Sequence, residues 1–225
     1  MRYWLCLLLT ISVLIGQRAN AAGSLSQPVS ESSPANKPPL RRNYLNTSRY
    51  LISSRAIVLE GSSHQIMRLS RWLDEVIKVP HGRKTLDAIF NSGNQLLIRH
   101  SSWALEASGR TQGPATERLS NGRGEDVVIL FDARIPEQGS HWVFDGDKQR
   151  IEFTAVQNLF HELAHARHLT NGTWRYADSE GQAIEEENIF RAQLGQLSGM
   201  TEVPQRSGID GVQFWRPETL LAVSE

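Results

Sequence analysis

The chain has 225 residues, of which 40% are hydrophobic, and it carries 24 basic and 24 acidic side chains. This length allows one domain with a substantial core, and the composition excludes a disordered or collagen-like chain. A formal net charge of zero argues against a nucleic-acid partner, and a single cysteine excludes an internal disulfide or a cysteine-based zinc finger. The unusual feature is that three of the seven histidines fall within residues 161–168.

Residues 1–21 have the layout of a secretory signal peptide. Arg2 precedes an apolar run of 12 residues, 5–16, and Ala19-Asn20-Ala21 is a small-x-small cleavage site. The alternative is a membrane anchor, but a spanning helix needs about 20 apolar residues. We therefore expect an exported protein, periplasmic or secreted, with no stable membrane anchor after cleavage. Cleavage would also remove the only cysteine, which suits an oxidising compartment.

The rest of the chain divides by composition into a linker, one domain and a tail. Residues 22–42 hold four of the nine prolines and many serines, which is typical of a flexible linker. We assign residues 43–206 to a single folded domain and residues 207–225 to a C-terminal tail. We expect the protein to be a monomer.

Hydrophobic periodicity and capping residues predict the elements of this domain. In chain order they are a strand over 56–59 that ends at Gly61, a helix from Ser62 or Ser63 to Pro80, a helix over 83–90, a strand over 96–98, a loop over 108–125, a strand over 126–131, a loop over 136–146, a helix over 155–169 capped by Thr154, and a helix over 179–197. A few strands interleaved with helices and followed by two long helices indicate the α+β class.

The helix over 155–169 carries the pattern His161-Glu162-x-x-His165. Two histidines at i and i+4 share one helical face and can bind the same zinc ion, and the intervening glutamate can act as general base. The apolar residues of this helix cluster on the opposite side, so we expect the histidines to line a groove. His168 lies about 10 Å along the axis from His161 and cannot bind the same ion. We predict a surface or substrate-side position for it.

A catalytic zinc site needs one further protein ligand and an open position. The helix over 179–197 offers four glutamates, of which Glu180 and Glu187 share a mixed face that points inward. Glu185 and Glu186 point elsewhere and are typical of a solvated helix face. At this stage either Glu180 or Glu187 can be the third ligand.

These residues resemble a known family, the NleD-like effector zinc metallopeptidases, which are type III effectors with relatives at the ends of Rhs-type toxins. The resemblance rests on the run His161-Glu-Leu-Ala-His-Ala, followed by Glu180-x-x-Ala-Ile-x-x-Glu187-Asn-x-x-Arg191. It implies a zincin-like fold, one Zn²⁺ per chain and hydrolysis of peptide bonds in a protein or peptide substrate. It also implies Glu162 as general base and Glu180 as third ligand, with Glu187 as alternative ligand or second-shell partner of a histidine.

Two features depart from this family. Many relatives have a tyrosine soon after the arginine that follows the last helix, but Arg206 is followed by Ser-Gly-Ile. Arg206, Tyr176 and His168 are therefore the candidates for oxyanion or substrate contacts. A signal peptide also differs from the export route of type III effectors, although an effector or toxin role remains a hypothesis.

Two other functions stay open at the level of sequence. One is a secreted zinc-binding interaction protein with an inactive site, and the other is a zinc hydrolase of a non-protein substrate. A closed structural zinc site needs four protein ligands, and the sequence offers neither a suitable cysteine nor a fourth clustered histidine. An open three-ligand site, and hence a secreted metalloprotease, fits the sequence better.

Overall fold

A computed structural model describes residues 40–43, 57–102, 109–113, 120–208 and 213–214. The predicted signal peptide, most of the predicted linker and most of the tail lie outside the described residues. The elements are β1 (Leu40–Asn43), β2 (Ile57–Gly61), α1 (Ser63–Lys78), α2 (Pro80–Asn91), β3 (Leu96–His100), β4 (Gly109–Gln112), β5 (Val127–Phe131), β6 (His141–Phe144), β7 (Arg150–Glu152), α3 (Ala155–Asn171), α4 (Ser179–Leu197) and β8 (Gln213–Phe214), with a 3₁₀ turn at Tyr176–Asp178 before α4.

A five-stranded mixed sheet with the order β1-β2-β3-β5-β4 forms the base of the domain. The three central strands, β2, β3 and β5, are parallel, whereas β1 and β4 pair antiparallel at the two edges. Along β5, the side chains of Val127, Ile129 and Phe131 are buried, and the two between them are partly exposed. This alternation follows from the two-residue period of a strand, and it gives β5 a buried apolar face.

Helices α1 and α2 follow β2 and complete the crossover to the parallel strand β3. A capping box fixes the start of α1, because Gln65 N donates to Ser62 Oγ and Ser62 N donates to Gln65 Oε1. Helix α2 begins at Pro80, three residues before its predicted start. Proline is well suited to the first helical position because its missing N–H has no partner there.

Helix α3 is the centre of the domain and is buried on nearly all sides. Its apolar face packs on α1, α2 and β5, as the sequence pattern predicts. Its polar face is covered by α4 and β4, so the histidines on that face are buried as well. A capping box of Thr154 and Gln157 begins the helix, and Gly172, with φ of 64°, ends it.

Besides the start of α2, several segments differ from their predicted structure or boundary. Strand β4 lies within the predicted loop 108–125, and β6 lies within the predicted loop 136–146. Both are short and partly polar, and both are held by main-chain pairing to a neighbouring strand, which local sequence does not reveal. Strand β1 extends across the predicted boundary between linker and domain at 42/43.

The predicted α+β class is confirmed, with a small sheet packed on the His-Glu-x-x-His helix and a glutamate-bearing helix after it. A second, three-stranded sheet, β7-β6-β8, flanks the start of α3. None of the described helices has both the length and the apolar character that a bilayer span needs.

Because His141 is buried, we predict that the free energy of unfolding depends on pH. Burial lowers the pKa of this side chain to about 4, and the opposing effect of Asp132 is smaller. Between pH 7 and pH 5 the unfolded chain therefore takes up a proton at His141 that the folded chain does not. The free energy of unfolding should fall by about 2 kcal/mol over this range from this residue alone.

Urea unfolding of the protein at pH 7 and pH 5, with a chelator present, measures this effect. The His141→Gln variant is the control, because it lacks the titrating group. Its loss of unfolding free energy should be smaller by about 2 kcal/mol. Equal losses in the two proteins would show that His141 does not carry the effect.

Candidate functional site

A cavity of about 430 Å³ opens between β4, α3 and the start of α4. Its walls combine the predicted site residues with aromatic side chains. The residues that line it are Gly109, Arg110, Thr111, Phe153, Asn158, His161, Glu162, His165, Trp174, Ser179, Glu180 and Arg206. The three residues of the His161-Glu162-x-x-His165 pattern thus face a common space, as the sequence predicts.

Three side chains direct ligand atoms toward one point in this cavity. His161 Nε2 lies 3.2 Å from His165 Nε2, and Glu180 places its two carboxylate oxygens 3.4 Å from His161 Nε2 and 3.2 Å from His165 Nε2. Ligand atoms in a tetrahedron with metal bonds of about 2.1 Å are separated by about 3.4 Å. Two imidazoles and one carboxylate are also a donor set typical of catalytic zinc. The residues present therefore fit this metal.

The carboxylates around His161 set the charge of the site. Burial lowers the pKa of His161, but its hydrogen bonds to Glu180 and Glu187 outweigh burial and raise the pKa to about 9. Hydrogen bonds from His161 and His165 in turn hold the pKa of Glu180 well below its usual range. The metal-free site therefore holds a proton at neutral pH, and a metal cation must displace that proton when it binds.

Glu187 lies on the other side of the His161 ring from Glu180. Its Oε2 atom is 3.1 Å from His161 Nδ1, and the side chain has no solvent exposure. A carboxylate in this position accepts a hydrogen bond from the Nδ1–H of a neutral imidazole, which leaves Nε2 free to bind a metal. This geometry favours Glu187 as the carboxylate that orients His161, and Glu180 as third ligand stays a prediction.

Arg206 is buried in the cavity wall and is tied to α4. Its Nη1 donates to Glu187 Oε2 at 2.9 Å, and its guanidinium lies over the ring of Phe153, 5.7 Å from the centroid. Asn188 holds the main chain of Arg206 by two hydrogen bonds, of 2.8 and 2.9 Å. Arg206 therefore lies beside the cavity, where the sequence predicted an oxyanion or substrate contact.

The other two predicted contact residues do not line the cavity. Tyr176 lies on the 3₁₀ turn and is 72% exposed. His168 is buried between α3 and α4, where its Nδ1 lies 2.8 Å from Thr173 Oγ1 and 3.2 Å from Gln182 Nε2. This position differs from the predicted surface or substrate-side one, because α4 covers this part of α3.

Glu186 also differs from its predicted solvated position. Its carboxylate lies 2.6 Å from His81 Nε2, accepts a hydrogen bond from Arg167 and is largely buried. The cluster joins α2, α3 and α4. Burial of the Glu186 carboxyl opposes ionisation, but the neighbouring His168 and His81 side chains and the charge of Arg167 outweigh burial and hold its pKa far below its usual range.

The sequence did not reveal the part of the site that comes from β4. Thr111 Oγ1 lies 2.6 Å from Glu162 Oε2 and 3.1 Å from the main-chain oxygen of Glu162. Gly109 faces the same side chain, and a Cβ atom at Gly109 would lie 2.5 Å from Glu162 Cγ. The segment Gly-Arg-Thr-Gln has no apolar alternation, so nothing local marks it as a strand or links it to Glu162.

Two aromatic wall residues were missed for a similar reason. Trp174 packs against His165, with 5.4 Å between ring centroids, and Phe153 packs edge-on to His161 at 6.3 Å. Both lie in segments that flank α3, and their approach to the histidines depends on how those segments turn.

Comparisons with solved structures give weak similarities. The light chain of botulinum neurotoxin serotype HA aligns with a TM-score of 0.36 and 16% identity, over 49% of this chain and 35% of that one. The light chain of botulinum neurotoxin type G aligns with a TM-score of 0.37 and 13% identity, over 76% of this chain and 58% of that one. The chain thus spans less than two thirds of either light chain. No curated protein matches the sequence.

A protein-family model gives the decisive match. The model of the Peptidase M91 family, described as "Effector protein", matches residues 53–198, which is more than half of the chain. The matched region contains the whole of α3 and α4, and with them the two histidines and the glutamates described above. It confirms the resemblance to the NleD-like effectors drawn from the sequence. The chain belongs to the Peptidase M91 effector family.

Proposed function

We propose that this chain is an exported zinc metalloprotease that hydrolyses peptide bonds in a protein or peptide substrate. One zinc ion per chain would be held by His161, His165 and Glu180. The observation that carries the proposal is that these three side chains converge on one point of a cavity that Glu162 also lines. Zinc bound there would supply Lewis acidity toward water and the scissile carbonyl.

Glu162 is the general base in this proposal. Its carboxylate lies in the cavity wall one residue from His161, and it is 6% exposed. It takes a proton from the attacking water and then delivers that proton to the nitrogen of the leaving amine. A structural metal site has no need of a carboxylate in this position, so its presence favours an enzyme over an inactive binding protein.

Arg206, which lines the cavity, and Glu187, which binds it, complete the proposed machinery. The Arg206 guanidinium supplies positive charge beside the cavity, where it can stabilise the oxyanion that develops on the former carbonyl oxygen. Glu187 binds both Arg206 and His161, so it fixes the oxyanion donor relative to the proposed ligand. Arg206 takes this role without the tyrosine found in many relatives.

The edge strand β4 favours an extended peptide as substrate. It lines the cavity, and within the described sheet it pairs on one side only, with β5. An extended peptide can add to such an edge by main-chain hydrogen bonds, and this places its backbone along the site. A small non-protein substrate would make no use of this edge.

The proposal extends to localisation and assembly. The predicted signal peptide of residues 1–21 supports export to the periplasm or beyond, with no stable membrane anchor after cleavage. We further propose that the mature protein acts as a monomer, because one chain supplies every residue named above. A secreted effector or toxin role follows from the effector family together with this leader.

Replacement of Glu162 tests the assigned chemistry. The Glu162→Gln variant should bind about one zinc per chain but lose about 10²- to 10⁴-fold in kcat/KM on a cleaved peptide, because the amide cannot accept the proton. A chelator should abolish cleavage by the wild-type protein, and added zinc should restore it. Metal analysis and a peptide-library cleavage assay measure both effects.

The control for this variant is Glu185→Gln, which makes the same change on an exposed part of α4. It should leave cleavage unchanged. Full activity of the Glu162→Gln variant would refute the assignment of the base.

Glu180 and Glu187 of α4 give different expectations for the loss of zinc affinity. The Glu180→Ala variant removes a proposed ligand and should lose most zinc binding at neutral pH. The Glu187→Gln variant keeps all three ligands but weakens the orientation of His161, so its zinc affinity should fall only by about 10- to 100-fold. Competition with a zinc-binding dye measures both affinities, and the reverse order would identify Glu187 as the ligand.

Export has its own test. When the full chain is expressed with a tag at its C-terminus, mass spectrometry of the exported protein should find a chain that begins at Ala22. Substitution of Ala19 and Ala21 by bulky residues should block processing, because signal peptidase requires small side chains there. Retention of residues 1–21 on active exported protein would contradict the assignment.

A further inference from the structure

The proposed general base has a partner on a different element of the fold. Thr111 Oγ1 lies within hydrogen-bonding distance of two oxygens of Glu162, the carboxylate Oε2 at 2.6 Å and the main-chain oxygen at 3.1 Å. A hydrogen bond to an ionised carboxylate is shorter and stronger than one between neutral groups. The shorter of the two contacts therefore anchors the carboxylate.

The sheet fixes the position of this hydroxyl. Thr111 pairs with Ile129 of β5, and Gly109 pairs with Phe131 in the same ladder. Ile129 and Phe131 have no solvent exposure and belong to the hydrophobic core. The main chain at Thr111 is therefore held by the sheet, which places its hydroxyl within reach of Glu162.

Gly109 limits Glu162 from the same strand. A Cβ at this position would lie 2.5 Å from Glu162 Cγ and 3.0 Å from Glu162 Cδ. The Glu162 side chain thus packs directly on the Gly109 backbone. Gly109 thus sets how closely the Glu162 side chain can approach β4, and Thr111 sets the direction of the Glu162 carboxylate.

We propose that Thr111 is a positioning residue for Glu162, and that β4 holds the general base in its reactive orientation. The inference rests on the proposed function of Glu162. A hydroxyl can serve both states of the base, because it donates to the carboxylate and accepts from the carboxylic acid. When Glu162 is a carboxylic acid, the hydroxyl hydrogen of Thr111 can point instead to the main-chain oxygen of Glu162, 3.1 Å away.

Substitutions at Thr111 separate this role from a structural one. Valine keeps the shape of threonine without its hydroxyl, so the Thr111→Val variant should fold and bind zinc like wild type. Its kcat should fall by about tenfold with KM little changed, because the lost hydrogen bond acts on the chemical step. The Thr111→Ser variant restores the hydroxyl and should recover most of kcat.

Thr201 provides a matched control, because Thr201→Val makes the same change at an exposed position that does not line the cavity. The Thr201→Val variant should leave kcat unchanged. The Gly109→Ala variant should retain zinc but lose activity, because the new Cβ displaces Glu162. Equal kcat for the Val and Ser variants at position 111 would overturn the proposal.

Crystal structures of the zinc-loaded wild-type and Thr111→Val proteins give a readout that does not depend on cleavage. The Glu162 carboxylate should take one position beside Thr111 in the wild type and should shift by about 1 Å or more in the variant, a displacement large enough to affect catalysis. An unchanged Glu162 would refute the proposal. If the wild type cleaves no peptide, the proposed function fails, but these two structures still decide the role of Thr111.

Discussion

The site depends on the buried contact between Glu187 and the His161 ring. A carboxylate with no solvent exposure is costly unless charged partners compensate for its lost hydration. Burial opposes ionisation of Glu187, but His161, Arg206 and Arg191 together hold its pKa below the usual value. The carboxylate can therefore stay ionised inside the protein, where it fixes both the imidazole and the guanidinium.

Three neighbouring residues of α4 explain why this arrangement holds its shape. Glu187 binds the His161 ring, Asn188 clamps the main chain of Arg206, and Arg191 donates to the Glu152 main-chain oxygen and to Gln157. Each contact reaches a different segment around the cavity. The motif Glu-Asn-x-x-Arg thus joins α4 to α3, to the segment that carries Arg206 and to β7.

The sequence was informative where function depends on helical spacing. Two histidines four residues apart on a capped helix must share a face, and the same reasoning placed Glu180 and Glu187 on one face of α4. Spacing alone could not tell which glutamate lies level with the Nε2 atoms, because that depends on the packing of α4 on α3. In the structure, Glu180 lies at Nε2 and Glu187 lies at Nδ1.

Long-range contacts account for what the sequence missed. The tetrapeptide of β4 is polar, contains a glycine and looks like a loop, and it becomes a strand only because β5 offers it a partner. The sequence placed Glu186 on a solvent-exposed face of α4, but the side chain is largely buried and contacts His81 of α2. The sequence predicted a surface or substrate-side position for His168, but in the structure α4 covers this side chain. In each case the deciding partner is distant in the sequence.

This division between local and distant contacts has a consequence for the order of folding. The residues of the candidate metal site lie within residues 161–187 on two successive helices, whereas Thr111 is 51 residues away from Glu162. Local contacts form early because they close short loops, and strand pairings of high sequence separation form late. The pairing that orients Glu162 should therefore form later in folding than the contact between the two helices that carry the candidate ligands.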